Sequence, residues 1–311
     1  MISEWKACLT GNAAQWGMPE SGDWRFLLYN NYHPHCSDID LFWFHNGGAY
    51  PRAVTKILQE PTRGEREFAN LRQVYAFASE WVPRPLHFGP QGRFWTLWME
   101  GVPGAPFQGS LTPEVLQSMT ATVSGIHRAL IGTAAKSEGR WQRVVAAPLE
   151  SLAAFGDAAA VREGCDRIRA RASAEWLEGV PEIPQHGDLY AGNLLVDGDR
   201  WRVVDWEGFG LTDLPAYDLY TLLLSLLRPD GHGPAEWKAP LMQQMPSLVE
   251  AYGKRIGLAA GDMPVLLTLT LANWFYLQWR DGRTEFSERL YRTIQDHFEH
   301  ETSWERVFFS A

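Results

Sequence analysis

The 311-residue chain has few cysteines, no excess of basic residues and no long uninterrupted apolar run. Its three cysteines, Cys8, Cys36 and Cys165, are far apart and odd in number, which excludes a disulfide framework and fits a reducing compartment. The net charge of −9, without any visible basic patch, argues against a nucleic-acid partner. The longest apolar stretches, residues 219–227 and 265–279, are too short or too polar to cross a bilayer.

The composition is nevertheless that of a globular protein with a large core. Hydrophobic residues make up 45% of the chain and charged residues 21%, which excludes global disorder. A chain of 311 residues is long for one domain, so two lobes are expected. The N-terminus has no basic segment followed by an apolar one, and we therefore expect no secretory signal and a cytoplasmic protein.

The most informative segment is residues 185–207, which arranges two acids and an asparagine around a short hairpin. Asp188 is followed five residues later by Asn193, and two apolar runs separated by an Asp-Gly-Asp turn then lead to Asp205. Antiparallel pairing of these runs brings Asn193 and Asp205 to the same point, with Asp188 on the loop just before them. Such oxygen ligands suit Mg²⁺ with nucleotide phosphates, and a nearby carboxylate suits orienting a hydroxyl. The segment predicts phosphoryl transfer.

These residues resemble the catalytic core of the aminoglycoside phosphotransferase and choline kinase family, which has a protein-kinase-like fold. The family pattern is His-Gly-Asp, four residues, Asn, and about a dozen residues further on an Asp-Trp-Glu or Asp-Phe-Glu group. Residues 186–188, Asn193 and residues 205–207 supply each part. The resemblance implies Mg²⁺ and ATP, with GTP possible, and a small-molecule hydroxyl as acceptor.

The pattern of predicted elements agrees with a bilobal α+β fold. A β-rich N-terminal nucleotide-binding lobe, residues 1–100, precedes a larger helical catalytic and substrate-binding lobe, residues 101–311. The connector is expected near residues 100–104, which are rich in Pro and Gly. Strands are predicted at 24–29, 39–45, 52–58 and 94–99, one helix at about 64–80, and helices from Thr112 onward apart from the hairpin.

The resemblance also assigns roles within the catalytic core. Asp188 is the expected catalytic base, orienting the acceptor hydroxyl, while Asn193 and Asp205 are expected to hold Mg²⁺. Glu207 is expected to assist a second metal or a substrate amine. Three further residues have structural assignments: a loop scaffold for His186, a brace of the catalytic loop for Asp218, and a packed helix histidine for His127.

On the nucleotide side, Lys56 occupies the strand position at which kinases present a lysine to the α- and β-phosphates. The alternative is a lysine on the solvent face of the strand, although the chain has only five lysines against 23 arginines. Glu67 is the expected partner of Lys56 because it lies in line with the apolar stripe of the next helix, with Glu65 as the open alternative. Glu100, at the start of the connector, is a further candidate nucleotide contact.

The segment between the first two strands, residues 30–38, departs from the family because it contains no glycine. Backbone N–H groups approach phosphate most easily where no Cβ intervenes, so this segment is not expected to copy the usual phosphate cradle. Ser37, together with Asn30 and Asn31, could contact phosphate through side chains. A transition-metal site at His33, His35 and Cys36 is a less favoured reading, because the three residues are too closely spaced.

The acceptor site is expected on helices of the C-terminal lobe, around Trp274, Tyr276 and Gln278 and within residues 140–180. Core packing is the favoured alternative for these aromatic residues because they recur at helical spacing. The sequence thus predicts a small-molecule kinase. Two alternatives remain: a kinase-like binding or scaffold protein without turnover, suggested by the glycine-free segment, and a protein kinase, disfavoured because an Ala-Pro-Glu signature is missing.

Overall fold

The computed structural model describes residues 2–33, 36–107, 111–133, 138–227, 235–299 and 307–309, of which 30–33, 36–38 and 235–241 are described without their side chains. The chain divides into two compact units, one made of Met1–Phe107 with Gly192–Glu207 and the other of Gln108–Ala191 with Gly208–Ala311. The division thus falls after Phe107 rather than after residue 100, and the predicted connector lies inside the first unit.

The first unit contains most of the β structure. Its elements are α1 (Ile2–Asn12), β1 (Trp24–His33), β2 (Cys36–His45), β3 (Ala53–Leu58), α2 (Pro61–Ala78), β4 (Pro85–Gln91), β5 (Phe94–Glu100), β6 (Ala105–Pro106), β7 (Leu194–Asp197) and β8 (Arg200–Val203). The second unit is helical. Its elements are α3 (Pro113–Leu130), α4 (Ala147–Phe155), α5 (Ala159–Arg171), α6 (Ala174–Gly179), α7 (Tyr217–Leu227), α8 (Ala235–Ile256), α9 (Met263–Arg280) and α10 (Thr284–Glu299).

The main sheet has five antiparallel strands in the order β1-β2-β3-β5-β4. Side chains alternate across a strand, so neighbours along β3 belong to opposite faces of the sheet. Ala53 and Ile57 join the buried cluster that includes α1 residues. Lys56 and Leu58 belong to the other face, where Lys56 contacts α2. This alternation directs the lysine away from the apolar core beneath the sheet.

The core on the α1 face is built largely from tryptophan. The indole rings of Trp43 and Trp98 stack with centroids 5.9 Å apart, and the ring of Trp16 lies 5.3 Å from that of Trp98. Trp5 on α1 and Trp24 on β1 are buried in the same cluster. Five of the chain's 15 tryptophans therefore cover one face of the sheet as structural residues.

The predicted catalytic hairpin is present as β7 and β8. Leu194 pairs with Val203 and Asp197 with Arg200, so the turn lies where the Asp-Gly-Asp sequence predicts it. Gly198 at the turn has φ +59°, a conformation that glycine adopts without steric cost. The amide of Val204 donates to the carbonyl of Asn193 at 3.0 Å, which extends the pairing by one step.

The described parts of the glycine-free segment, residues 30–33 and 36–38, continue the two strands. β1 extends to His33 and β2 begins at Cys36, with Tyr32 paired to Ser37. The structure does not describe the side chains of the three phosphate-contact candidates, Ser37, Asn30 and Asn31. The same holds for the metal candidates His33, His35 and Cys36.

Helix α9 of the second unit packs against α4, α5, α7 and α10, and α7 is buried along most of its length. The ring of Phe155 on α4 lies 5.0 Å from that of Phe275 on α9. Arg255 on α8 donates to the Ser124 hydroxyl of α3 at 3.1 Å. Among the described residues no single helix is long and apolar enough to span a membrane. One pair of helices, Met242–Ile256 and Ala260–Arg280, meets the length and composition criteria when taken together, but the pair is bent by 118°.

Candidate active site

Lys56 is the centre of an ion cluster in the first unit. Its ammonium lies 2.6 Å from Glu67 Oε1 and 2.8 Å from Asp205 Oδ1, with the lysine side chain 15% exposed. Burial acts to lower the pKa of Lys56, but the charges of Glu67 and Asp205 outweigh it and raise the pKa well above its ordinary value. Lys56 is therefore a permanent cation, and the alternative of a solvent-facing lysine is excluded.

Glu67 rather than Glu65 is the partner of Lys56. Glu67 is 2% exposed and lies on the buried side of α2, whereas Glu65 is exposed. Burial raises the pKa of Glu67, against the influence of the Lys56 ammonium. The open alternative between the two acids is resolved by the helical periodicity of α2.

Asp205 follows β8 in an uncommon backbone conformation. Its φ is +68°, in the left-handed region that residues with a side chain rarely adopt. The hydrogen bond from Val204 to Asn193 brings the backbones of the two predicted metal ligands side by side. Asn193 is buried, whereas the Asp205 side chain is 44% exposed.

The two residues after Asp205 are held by α2. Arg63 Nη2 pairs with Glu207 Oε2, and Arg66 Nη2 lies 3.8 Å from Glu207 Oε1. Asn70 Nδ2 donates to the carbonyl oxygens of Trp206, at 3.1 Å, and of Glu207, at 3.2 Å. The carboxylate expected to assist a second metal or a substrate amine is thus paired with guanidinium groups.

Glu100 belongs to the face of the sheet opposite Lys56. It pairs with Ala53 across β3 and β5, whereas Lys56 pairs with Leu97. The Glu100 carboxylate lies 3.9 Å from Arg84 Nε. The structure therefore does not bring this side chain to the ion cluster.

In the second unit, the predicted catalytic loop at residues 186–188 has a buried backbone and an exposed acid. Asp218 on α7 accepts hydrogen bonds from the amides of His186, at 2.6 Å, and Gly187, at 3.0 Å. The amide of Asp188 donates to His186 Nδ1 at 3.3 Å, and the Asp188 side chain is exposed. The loop backbone is thus fixed from within the unit while the Asp188 carboxylate faces outward.

Gly187 permits a close approach of backbone to backbone. Its φ is +87°, and a Cβ at this position would lie 2.4 Å from the carbonyl oxygen of Gly208. Both the conformation and the contact exclude other residue types. The central glycine of the His-Gly-Asp sequence is therefore a steric requirement of the fold.

Asp218 belongs to a longer buried network. His127 Nε2 lies 3.0 Å from Asp218 Oδ2, and His127 Nδ1 lies 2.6 Å from the Tyr252 hydroxyl. That hydroxyl accepts from the amide of Ala216, at 3.0 Å, whose φ is +66°. Burial opposes ionisation of Asp218, but the hydrogen bond and charge of His127 outweigh it and lower the pKa of Asp218.

Two members of this region were not found by sequence reasoning. Tyr252 is 125 residues from His127, and no pattern in α8 distinguishes it from a core tyrosine. Tyr217 is fully buried, and its pKa is raised first by burial and then by the charges of Asp188 and Asp218. Its position directly before Asp218 is the signal that could have drawn attention to it.

The acceptor candidates on α9 are engaged in packing. The ring of Trp274 lies 5.5 Å from that of Phe286 on α10, and buried Gln278 accepts from Arg283 at 3.1 Å. The guanidinium carbon of Arg280 lies 5.9 Å from the ring centre of Tyr276. These contacts agree with the packing alternative and give no positive sign of an acceptor site on this helix.

A sequence profile of the phosphotransferase enzyme family matches residues 41–262, more than half of the chain. The chain belongs to the phosphotransferase enzyme family. The family assignment confirms the resemblance recognised in residues 186–207, and the matched range includes Lys56, Asp188, Asn193 and Asp205. No curated protein gives a significant match to the sequence of this phosphotransferase.

Solved structures show that this phosphotransferase has a protein-kinase-like fold. A candidate aminoglycoside phosphotransferase from Ralstonia eutropha matches with a TM-score of 0.66 and 16% identity, over 96% of this chain and 97% of that one. Aminoglycoside phosphotransferase APH(4)-Ia matches with a TM-score of 0.59 and 14% identity, over 97% and 100%. Amicoumacin kinase, in complex with AMP-PNP, Ca²⁺ and Ami, matches with a TM-score of 0.56 and 15% identity, over 88% and 92%. At these identities the likeness concerns the fold.

Proposed function

We propose that this phosphotransferase is a small-molecule kinase that transfers the γ-phosphate of ATP, or of GTP, to a hydroxyl of an amino sugar, a sugar or an amino alcohol. The observation that carries the proposal is the ion cluster of Glu67, Lys56 and Asp205. The proposed catalytic base, Asp188, lies five residues before Asn193 in the sequence. Family membership gives phosphoryl transfer, and the cluster supports a retained nucleotide site.

Lys56 is the proposed contact for the α- and β-phosphates. Its raised pKa keeps it charged, and Glu67 orients the ammonium by a direct hydrogen bond. A fixed cation favours phosphate binding because it needs little reorganisation when the nucleotide arrives. The role of Glu67 is therefore to hold Lys56 in place.

The donor set around the hairpin fits Mg²⁺. Asp205 supplies a carboxylate and Asn193 an amide oxygen, and hard oxygen ligands are those that Mg²⁺ prefers. Mg²⁺ is usually bound through one or two protein carboxylates together with substrate phosphates, so this small set of protein donors fits an ion completed by the nucleotide. Asn193 and Asp205 would hold the ion, which would neutralise charge on the transferring phosphoryl group.

Asp188 is the proposed catalytic base. The acceptor oxygen forms a bond to the γ-phosphorus, and the bond from that phosphorus to the bridging oxygen of the nucleoside diphosphate breaks. The hydroxyl proton passes to the Asp188 carboxylate. Because phosphoryl-transfer transition states are loose, the main contribution of Asp188 is orientation of the hydroxyl.

The network behind the loop supports this orientation. Asp218 accepts from two consecutive amides of the His186–Gly187 backbone and is itself held by His127. Its lowered pKa keeps it an acceptor, so the loop cannot rotate without losing charge-assisted hydrogen bonds. His186 and Asp218 are thus proposed as positioning residues.

The acceptor class is inferred from the ligands of similar structures and from the charge of the chain. A structure of APH(4)-Ia contains ADP with hygromycin B, and the amicoumacin kinase structure contains AMP-PNP with Ami. These neighbours favour a small-molecule acceptor for this chain. The net charge of −9 is compatible with a cationic acceptor.

The proposal is tested by a transfer assay with panels of amino sugars, sugars and amino alcohols, using ATP or GTP with Mg²⁺ and ³¹P NMR detection. We expect one class to yield a phosphomonoester together with nucleoside diphosphate. Asp188→Asn is expected to abolish transfer while retaining nucleotide binding and the melting temperature. Full transfer by this variant would contradict the assigned role. Absence of nucleotide binding by the wild type would favour the kinase-like scaffold instead.

A further inference from the structure

Three side chains of α2 converge on the two residues that follow Asp205. Arg63 pairs with the Glu207 carboxylate, and Arg66 lies 3.8 Å from its other oxygen. Asn70 donates to the carbonyl oxygens of both Trp206 and Glu207. These contacts join residues more than 130 positions apart in the sequence, so the segment is fixed by tertiary structure rather than by local turns.

The same face of α2 also carries Glu67. Positions separated by three, four or seven residues lie along one side of a helix, and Arg63, Glu67 and Asn70 have this spacing. Glu67 holds Lys56, which in turn bonds the Asp205 carboxylate. The Asp205 side chain is therefore held by Lys56, which Glu67 holds in turn. The backbone that follows Asp205 is held by Asn70.

The backbone of Asp205 requires such support. A φ of +68° is uncommon for an aspartate, and strained residues persist only when the surroundings determine their conformation. Releasing residues 206–207 would allow Asp205 to relax to an ordinary conformation and turn its carboxylate. The direction of that carboxylate determines whether it meets a metal held on nucleotide phosphates.

We propose that Arg63 and Asn70 of α2 are positioning residues for Asp205. Arg63 acts through the Glu207 carboxylate, and Asn70 acts through the backbone carbonyls of Trp206 and Glu207. This assignment rests on the proposed function, because it presupposes that Asp205 binds Mg²⁺. It replaces the expectation that Glu207 assists a second metal or a substrate amine. Residues around metal ligands often tune affinity in this way without touching the metal.

The test uses Arg63→Met, Glu207→Gln, the reversed pair Arg63→Glu with Glu207→Arg, and Arg72→Met as control. Arg72 is exposed on the same helix and lies near the Phe68 ring rather than residues 205–207. Two quantities are measured: hydrogen exchange of peptides covering residues 203–208, and the Mg²⁺ concentration that gives half-maximal ATP binding. Melting temperatures identify any variant that fails to fold.

We expect Arg63→Met and Glu207→Gln each to accelerate exchange in residues 203–208. Each should also raise the half-saturating Mg²⁺ concentration by about tenfold. This is the lower end of the loss in metal affinity that follows mutation of residues supporting a metal ligand. ATP binding without Mg²⁺ should be unchanged, because Lys56 is untouched. The reversed pair should recover most of the Mg²⁺ dependence and of the protection, and the control should resemble the wild type.

Unchanged exchange in residues 203–208 of Arg63→Met would overturn the inference. A loss of Mg²⁺ dependence in Glu207→Gln but not in Arg63→Met would also overturn it, because Glu207 would then be a metal ligand. If the wild type binds neither ATP nor GTP with Mg²⁺, the proposed function fails independently. In that case the exchange data alone decide whether α2 holds the segment.

Discussion

Lys56 has its ammonium between two carboxylates and carries much of the proposed nucleotide chemistry. Hydrogen bonds to charged groups contribute about 1.5–3 kcal/mol, so removing one contact to phosphate weakens binding about ten- to a hundredfold. Lys56 also neutralises Glu67, which is 2% exposed. A change at this residue should therefore affect both nucleotide affinity and folding stability.

We expect Lys56→Met to weaken ATP binding about ten- to a hundredfold, because the cation facing the phosphates is lost. The free energy of unfolding should also fall, since Glu67 must either stay charged without its partner or take up a proton. Calorimetry and urea unfolding measure the two effects. Lys254→Met is the matched control, because Lys254 pairs with exposed Glu250 on the surface of α8. Unchanged ATP affinity in Lys56→Met would refute the phosphate contact.

His297 on α10 is a buried histidine remote in sequence from the site residues. Burial lowers its pKa from 6.5 to about 4. The folded protein therefore keeps it neutral while the unfolded chain takes up a proton below pH 6.5. Its contribution to stability is full above pH 6.5 and is lost as the pH falls from 6.5 towards 4.

As the pH falls through this range, protonation linked to His297 should lower the free energy of unfolding by about 1.4 kcal/mol per pH unit, or about 3 kcal/mol in all. We expect His297→Gln to remove this slope in urea unfolding measured at pH 7, 6 and 5. The control is His87→Gln, since His87 is exposed. Identical slopes for wild type and His297→Gln would show that His297 is not held neutral.

At the scale of elements, α2 is the helix on which the first unit's site depends. It lies close against the sheet because Gly64 has no side chain: a Cβ there would lie 2.2 Å from Leu58 Cδ1 and 2.6 Å from Phe88 Cε2. The helix residues that follow, Glu67 and Asn70, can then reach the ion cluster and residues 206–207. The separation between helix and sheet thus sets the geometry of the site.

We expect Gly64→Ala to destabilise the fold by about 1–2 kcal/mol, because overpacking outweighs the gain in helix propensity. ATP affinity should fall as well, since α2 must move away from β3. Gly11→Ala in α1 is the matched control, because a Cβ at Gly11 has no atom within 4 Å. That control should be neutral or slightly stabilising. A Gly64→Ala protein as stable as the wild type would contradict the close packing.

The elements that the sequence predicted best are those with local signals. The β7–β8 hairpin follows from an Asp-Gly-Asp turn between two apolar runs, and α3 from Thr112, whose hydroxyl accepts from the Val115 amide at 3.3 Å. α1 was not predicted, because only Trp5 and Leu9 of its 11 residues are buried. β4 was not predicted because it begins at Pro85 and contains Pro90, which favour non-strand structure.

At the scale of the whole molecule, the motif residues could be named from the sequence but their partners could not. Lys56 and Asp205 lie 149 residues apart, and no local pattern indicates that they form an ion pair. The arginine partners of Glu207 are likewise set by tertiary structure, and they are the reason that a positioning role is proposed for Glu207 in place of the expected metal or substrate role. The spacing of residues within one segment predicts which of them act together. Ion pairs between distant segments become visible only in the folded structure.

Calorimetric titration of ATP and of GTP into the wild type and Asp205→Asn, with Mg²⁺ and with EDTA, tests directly whether the chain has a metal-assisted phosphoryl-donor site. We expect Mg²⁺-dependent binding of at least one nucleotide to the wild type, and loss of that binding in Asp205→Asn without a change in the EDTA titration. Equal binding by the two proteins in Mg²⁺, or no binding of either nucleotide by the wild type, would contradict a metal-assisted phosphoryl-donor site.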